Sequence, residues 1–217
     1  MIVVWAELSS ALPDNATAFD RDRTVMPRPA TFNADVVLER AMHLFWTQGY
    51  AGTSIQDLVE GAELLRGSLY HTFGDKRSLY ILALRRYGRL ALEQTFGVWN
   101  PEESALSNVR AVLMQIVDMP AAEQRRGNMV CNCIIEVVPH DAEIARIVAE
   151  ILDEFKRAFQ SRLADAQQVG ALDPRTNTTA LARYLVSSTQ GLCVTAKGGA
   201  SREELLDIVE VTVAAVR

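Results

Sequence analysis

The sequence predicts an all-α protein, and three observations carry that reading. From Asn33 onward apolar residues recur three and four positions apart, the spacing of one helical face. No stretch alternates apolar and polar residues long enough to make a useful strand. Caps and breakers such as Asn33, Gly49, Asp75, Pro120, Gly170 and Pro174 stand where the periodic runs begin or stop. The 217 residues are 49% apolar and 23% charged, a composition suited to a packed core rather than disorder.

Residues 1–29 show no helical period, and Pro13, Pro27 and Pro29 interrupt them, so a flexible extension is expected. Its apolar opening is too short for a membrane span and lacks the basic leader of a signal peptide. Met26, before Pro-Arg-Pro, looks like an alternative start. Arg21, Arg23 and Arg28 suit either a basic arm on a nucleic-acid backbone or a solvated tail.

Asn33 caps a first helix running to Gln48, with Asp35 in its first turn and Val37, Ala41, Leu44 and Phe45 as its stripe; Gly49 stops it. Thr53 is placed to cap a second helix, whose inner face is Ile55, Leu58, Val59 and Ala62. A short third helix turns Leu69 and Phe73 inward and Arg66, Ser68, Tyr70, His71 and Thr72 outward. Such hydroxyls and a guanidinium suit phosphates and base edges better than packing. Gly74-Asp75 closes this helix, and Asp75 caps a longer one to about Phe96 with Leu79, Leu82, Ala83, Tyr87 and Leu90 on one side. Lys76 then lies in a first turn whose free N–H groups can hold a phosphate. Further on, Leu106, Val109, Val112, Leu113, Ile116 and Val117 mark a helix stopped near Pro120, while Gln124–Cys133 is ambiguous. Ala142–Val169 is a long amphipathic helix. Asn177–Lys197 and Ser201–Val216 complete the chain, separated by Gly198-Gly199.

Ala41, Phe45, Gly49-Tyr50, Thr53-Ser54-Ile55, Leu58 and Ala62 lead into the run Gly67-Ser68-Leu69-Tyr70-His71-Thr72-Phe73-Gly74-Asp75-Lys76. From Ala41 to Leu79 this resembles the DNA-binding head of the TetR/AcrR family of bacterial transcriptional regulators, whose pattern is G-[ST]-[LIF]-Y-x-[HY]-F-x-[SDN]-K. Two positions depart from it. Glu63 stands where the family usually has a turn glycine, and Leu65 where it has the Ser or Thr that opens the recognition helix. The resemblance implies a three-helix helix-turn-helix head over residues 30–78 and a helical effector-binding and dimerisation body over residues 79–217. It implies that Arg66 and Ser68 approach bases, that Thr53, Tyr70, His71 and Lys76 hold phosphates, and that Gly67 lets the helix backbone come close to the groove.

The same resemblance implies a homodimer, most often a repressor, on a palindromic double-stranded operator. Leu181, Leu185, Ser188 and Leu192 would pair with Leu205, Ile208, Val209 and Thr212 in a four-helix interface, although both stripes also suit a core. Two-fold symmetry meets a physical need, because half-sites about 34–36 Å apart require two heads. A small-molecule effector is implied as well. Its expected lining is Phe96, Trp99, Met114, Met129, Cys131, Phe155, Phe159, Gln190 and Cys193, which suits an apolar or aromatic ligand because carboxylates are scarce among them.

Arg125 to Asp141 resembles a segment of one branch of the family, R-G-C-L-x-x-N-T-A-x-E-x-x-P-H-D, matching at Gly127, Asn132, Glu136, Pro139, His140 and Asp141. Here Asn128 replaces the branch's Cys, and Cys131 and Cys133 appear instead. Three readings stay open: core or pocket packing, a thiol-based redox or electrophile sensor, and a metal site with His140 and Cys193. Helical residues two apart point nearly opposite ways, which works against shared chelation or a mutual disulfide. Three cysteines without a secretion signal suit a reducing cytoplasm.

Net charge is −5 with pI near 5.3, which argues against general nucleic-acid coating. Between Arg28 and Arg89, however, eight basic residues face six acidic ones, a local excess of the sign that DNA attracts. No phosphate loop, nucleophile elbow or His/Glu metal motif is present, so an enzyme is not expected beyond remote thiol chemistry at Cys131 or Cys133. No cofactor or resident metal is implied.

Overall fold

The computed structural model describes residues 33–216; the expected extension, with Arg21, Arg23 and Arg28, lies outside them. The described residues form helices joined by short turns, without strands. In chain order the helices are α1 (Ala34–Gly52), α2 (Ile55–Gly61), α3 (Arg66–Phe73), α4 (Lys76–Gly97), α5 (Ala105–Val117), α6 (Ala121–Arg126), α7 (Met129–Glu136), α8 (Ala142–Gln168), α9 (Thr178–Lys197) and α10 (Arg202–Ala214). A 3₁₀ turn, Val138–His140, joins α7 to α8. None of these helices is long and apolar enough to cross a membrane.

Side-chain caps set most of the starts. Asn33, Asp75, Ser104, Asn128, Asp141, Asn177 and Ser201 each accept a backbone N–H in the first turn of the helix that follows. At α2 the cap is Ser54 rather than Thr53. Ser54 and Asp57 form a reciprocal capping box, while Thr53 is fully buried and donates its hydroxyl to the Gly49 carbonyl at 2.7 Å. The expected stop at Gly49 is a break inside α1, where φ 78° and ψ 173° leave the helical region before the last turn resumes.

Helix α1 lies along α4 and touches α7, and α2 and α3 complete a small cluster against the start of α4. Leu58, Leu69 and Phe73 are buried there with Phe45 and Tyr80, whose rings meet edge-on at 5.0 Å. The larger core joins α5, α8, α9 and α10 through Val109, Leu113, Phe159, Leu163, Leu185 and Val209. This placement corrects the expected dimer stripe at Leu181, Leu185, Leu205 and Val209, which pack inward, while Ser188, Leu192, Ile208 and Thr212 edge an open groove on the outer side of α9 and α10. Of these four, Leu192 and Thr212 are buried and Ser188 and Ile208 half-buried. Periodicity marks an apolar face without saying whether the chain's own helices or a partner's cover it.

Candidate functional site

Helix α3 is seated by Leu69, which is fully buried, and by Phe73; burying each stabilises the seat by roughly 1.5–3 kcal/mol. That seat fixes which residues face out. Arg66, Gly67, Tyr70 and His71 are exposed and Ser68 is half-buried. The Arg66 guanidinium leans over the Tyr70 ring, 5.8 Å from its centroid. A Cβ built on Gly67 would meet nothing within 4 Å, so the helix backbone is open to close approach on that side. Thr53 is the exception among the expected contacts. Its burial and its bond to Gly49 remove it from any surface that could meet a phosphate.

Lys76 begins α4 just beyond α3, with its Nζ 4.5 Å from the centre of the Tyr50 ring. Tyr50 lies in the broken last turn of α1, and Glu136, the last residue of α7, holds that turn in place. One carboxylate oxygen of Glu136 accepts the Tyr50 N–H at 3.0 Å and the other accepts the Ala51 N–H at 2.7 Å. The approach is close: a Cβ at Gly49 would come within 2.8 Å of Glu136 Oε2. Next along α4, Arg77 donates to Asp141 through Nε at 2.7 Å and Nη2 at 3.0 Å, and to Glu143 at 2.7 Å. The hydrogen bonds from Arg77, and after them that from the Ile144 N–H, hold the Asp141 carboxyl down to about 2. Reading the sequence marked Glu136 and Asp141 only as matches to a branch pattern. Their partners are 64 to 86 residues away, and no local pattern reveals that pairing.

Four of the expected effector residues, Phe155, Phe159, Gln190 and Cys193, line one apolar cavity of about 40 Å³, with Asn128 and Val130 from the start of α7. That volume admits about one water, against the several hundred Å³ of a typical ligand pocket. Trp99 instead lines a more polar cleft of about 480 Å³ with Glu103, Asn108, Arg162 and Asp165. An aromatic cluster connects the two. Phe96 meets Phe159 edge-on at 4.8 Å, Trp99 lies 6.5 Å from Phe159, and Arg162 sits 4.3 Å above Phe96. Met129 and Cys131 are buried in α7 and Met114 is half-buried in α5; none of these three lines either cavity.

The cysteines are free thiols held in apolar surroundings. Burial pushes the Cys131 thiol up to about 11. Burial, then the neighbouring Cys131, raises Cys193, and burial also raises Cys133, which lies against the Tyr80 hydroxyl. Cys131 and Cys133 thus face different neighbours. Protonated at neutral pH, none is a ready nucleophile. No group of His, Cys, Asp or Glu among the described residues is placed to hold a metal ion.

Residues 37–83 match the family model for bacterial regulatory proteins of the tetR family. Over 189 residues the chain is 33% identical to the uncharacterized HTH-type transcriptional regulator YezE of Bacillus subtilis (strain 168), covering 86% of this chain and 97% of YezE. It is also 33% identical over 192 residues to the HTH-type transcriptional repressor ComR of Escherichia coli (strain K12), covering 85% of this chain and 89% of ComR. Among solved structures it is similar to a cysteine mutant of the TetR family transcriptional regulator CifR complexed with 26 bp double-strand operator DNA. The TM-score is 0.73 at 31% identity, covering 88% of this chain and 100% of that one.

Proposed function

The chain belongs to the TetR family of bacterial regulatory proteins, and from that premise we propose that it is a cytoplasmic, homodimeric repressor that leaves a palindromic operator when a small apolar or aromatic molecule occupies its body. It is a DNA-binding transcriptional regulator and not an enzyme. The observation that carries the proposal is the outward face of α3. Leu69 and Phe73 anchor one side of an eight-residue helix and leave Arg66, Ser68, Tyr70 and His71 on the other, with Lys76 beside them. Arg66 and Ser68 supply base-edge contacts, while Tyr70, His71 and Lys76 hold phosphates; Thr53 has no part in this. On this reading the DNA-binding head runs to residue 78 and includes Lys76, and the residues from 79 onward sense the effector and dimerise.

The partner surface is the outer side of α9 and α10. An open groove of about 460 Å³ runs there between Tyr184, Ser188, Gly191, Ile208 and Val211. Tyr184 is 41% and Val211 69% exposed, apolar bulk of the kind a second copy would cover.

Helix α7 offers the route from effector to DNA. Asn128, its cap, and Val130 line the small cavity, and Glu136 at its other end, about 12 Å away, holds the turn that carries Tyr50 under Lys76. A ligand that enlarges the 40 Å³ cavity must move its walls, and it shifts head spacing only by its differential affinity for the two arrangements.

The test is a mobility-shift titration on the operator footprinted upstream of the chain's own gene. Lys76→Ala is expected to weaken binding and lower the salt slope by about one unit for each head, whereas Arg66→Ala also relaxes preference at particular bases. Wild-type affinity and selectivity in both variants would end the assignment.

A further inference from the structure

Local rules are broken twice in succession where the chain turns into α3. Glu63 has φ 53°, the one positive value outside glycine among the described residues, and Leu65 stands at the N-cap of α3 without any side-chain hydrogen bond. Leu65 is also 79% exposed, more than any other large apolar side chain described. A hydroxyl at this place would fold back to satisfy the first-turn N–H groups, whereas an isobutyl group cannot and projects from the helix start. Its position is nonetheless fixed. The Leu65 carbonyl accepts the Ser68 N–H at 2.9 Å and the N–H of the fully buried Leu69 at 3.1 Å. Where sequence departs from local stability without a packing gain, a functional contact is the physical explanation to seek.

A recognition helix enters the major groove with its N-terminal residues nearest the base edges. Most of that groove presents hydrogen-bond donors and acceptors, which leucine cannot use. The thymine C5 methyl is its apolar feature. Resting on the DNA-reading assignment of α3 above, we propose that Leu65 is a specificity-determining residue that packs against a thymine methyl group in each half-site. Arg66 beside it would carry the polar half of the readout, so the pair would read a thymine next to a base with acceptor groups.

The full chain can be used to select duplexes from a random pool, after which each thymine of the enriched sequence is replaced singly by deoxyuridine, removing only the methyl. One thymine per half-site is expected to show a loss of about fourfold, the equivalent of one buried methyl group, and replacement in both half-sites about sixteenfold. Leu65→Ala, which removes the contact in both half-sites at once, is expected to weaken binding to the thymine duplex by about sixteenfold and to make that position indifferent to the methyl, with sensitivity elsewhere unchanged. Leu65→Ser restores a cap: it should raise the thermal midpoint yet show the same indifference. If Leu65→Ala and Leu65→Ser keep every deoxyuridine sensitivity of the wild type, Leu65 is only a poor cap and the inference falls while DNA reading stands. A pool that shows no enrichment overturns the DNA-reading assignment itself, and this inference with it.

Discussion

Glu63 occupies the left-handed region at φ 53° with its carboxylate 3.2 Å from Arg40 Nη1. A residue with a Cβ destabilises that backbone by about 1–2 kcal/mol, and the ion pair offsets little because the Glu63 side chain is 74% exposed. Glu63→Gly is therefore expected to stabilise the chain by about 0.5–1 kcal/mol in urea unfolding, after the entropy glycine loses on folding. Glu63→Val, β-branched at the same φ, should destabilise it by at least about 1 kcal/mol. Equal midpoints for the two variants would show that the turn is not strained. Asp141 sets a second expectation, in pH. Its folded-state pKa is depressed to about 2 by Arg77, so its contribution to stability is complete above its unfolded value of about 4 and is lost as pH falls towards 2. Asp57 and Asp75, held down by the N–H groups of Ser54 and Ser78, titrate in the same direction. Arg77→Met should lower the thermal midpoint at neutral pH and flatten its decline between about pH 4 and 2. A variant with the full wild-type acid slope would remove the Arg77–Asp141 pair from that account.

At the scale of elements, the broken end of α1 depends on a carboxylate from a distant helix. Removing the Glu136 side chain leaves the half-buried Tyr50 and the exposed Ala51 N–H groups to water in place of their carboxylate acceptor, which should destabilise the turn by about 0.5–1.5 kcal/mol. Glu136→Ala is expected to speed amide exchange at Tyr50 and Ala51 and to weaken operator binding, since Tyr50 supports Lys76. Unchanged exchange at both amides would mean the turn holds itself. The helices themselves were legible in the chain because their signals are local. Asn33, Asp75, Asn177 and Ser201 cap where the periodic runs start, and Gly49 breaks α1 where a glycine is needed. Thr53 misled because Thr and Ser are adjacent and equally suited to cap; the inward turn of the backbone decided for Ser54. Gln124–Cys133 was ambiguous because it holds a boundary: α6 ends at Gly127, with φ 69°, and Asn128 caps α7. The outward residues of α3 were legible from two inward anchors. The Glu136 and Arg77 clamps were not, because they join segments that only folding brings together.

For the whole molecule the question is which surface remains after the chain has buried its own core. The 3.6-residue stripe of α9 and α10 led to Leu181, Leu185, Leu205 and Val209, yet each of these helices carries two apolar faces and the more regular one packs inward. The faces left outside carry Tyr184, Val194, Ile208 and Val211 around the groove or beside it, interrupted by Ser188, Gly191 and Thr195, small enough for close helix approach. If two copies meet there, two α3 helices can reach successive turns of one duplex, and operator affinity becomes a property of the pair. Val211→Glu tests this without touching the chain's own core, because Val211 is 69% exposed and an exposed substitution moves stability by about 0.5 kcal/mol or less. The variant should sediment as a monomer with an unchanged helical spectrum and thermal unfolding. Its affinity for the palindrome should fall by about 100-fold or more, because the second head no longer binds from a high effective concentration. A single half-site, by contrast, should bind the variant as weakly as it binds one wild-type head. A Val211→Glu chain that still sediments as a dimer would move the interface away from α9 and α10.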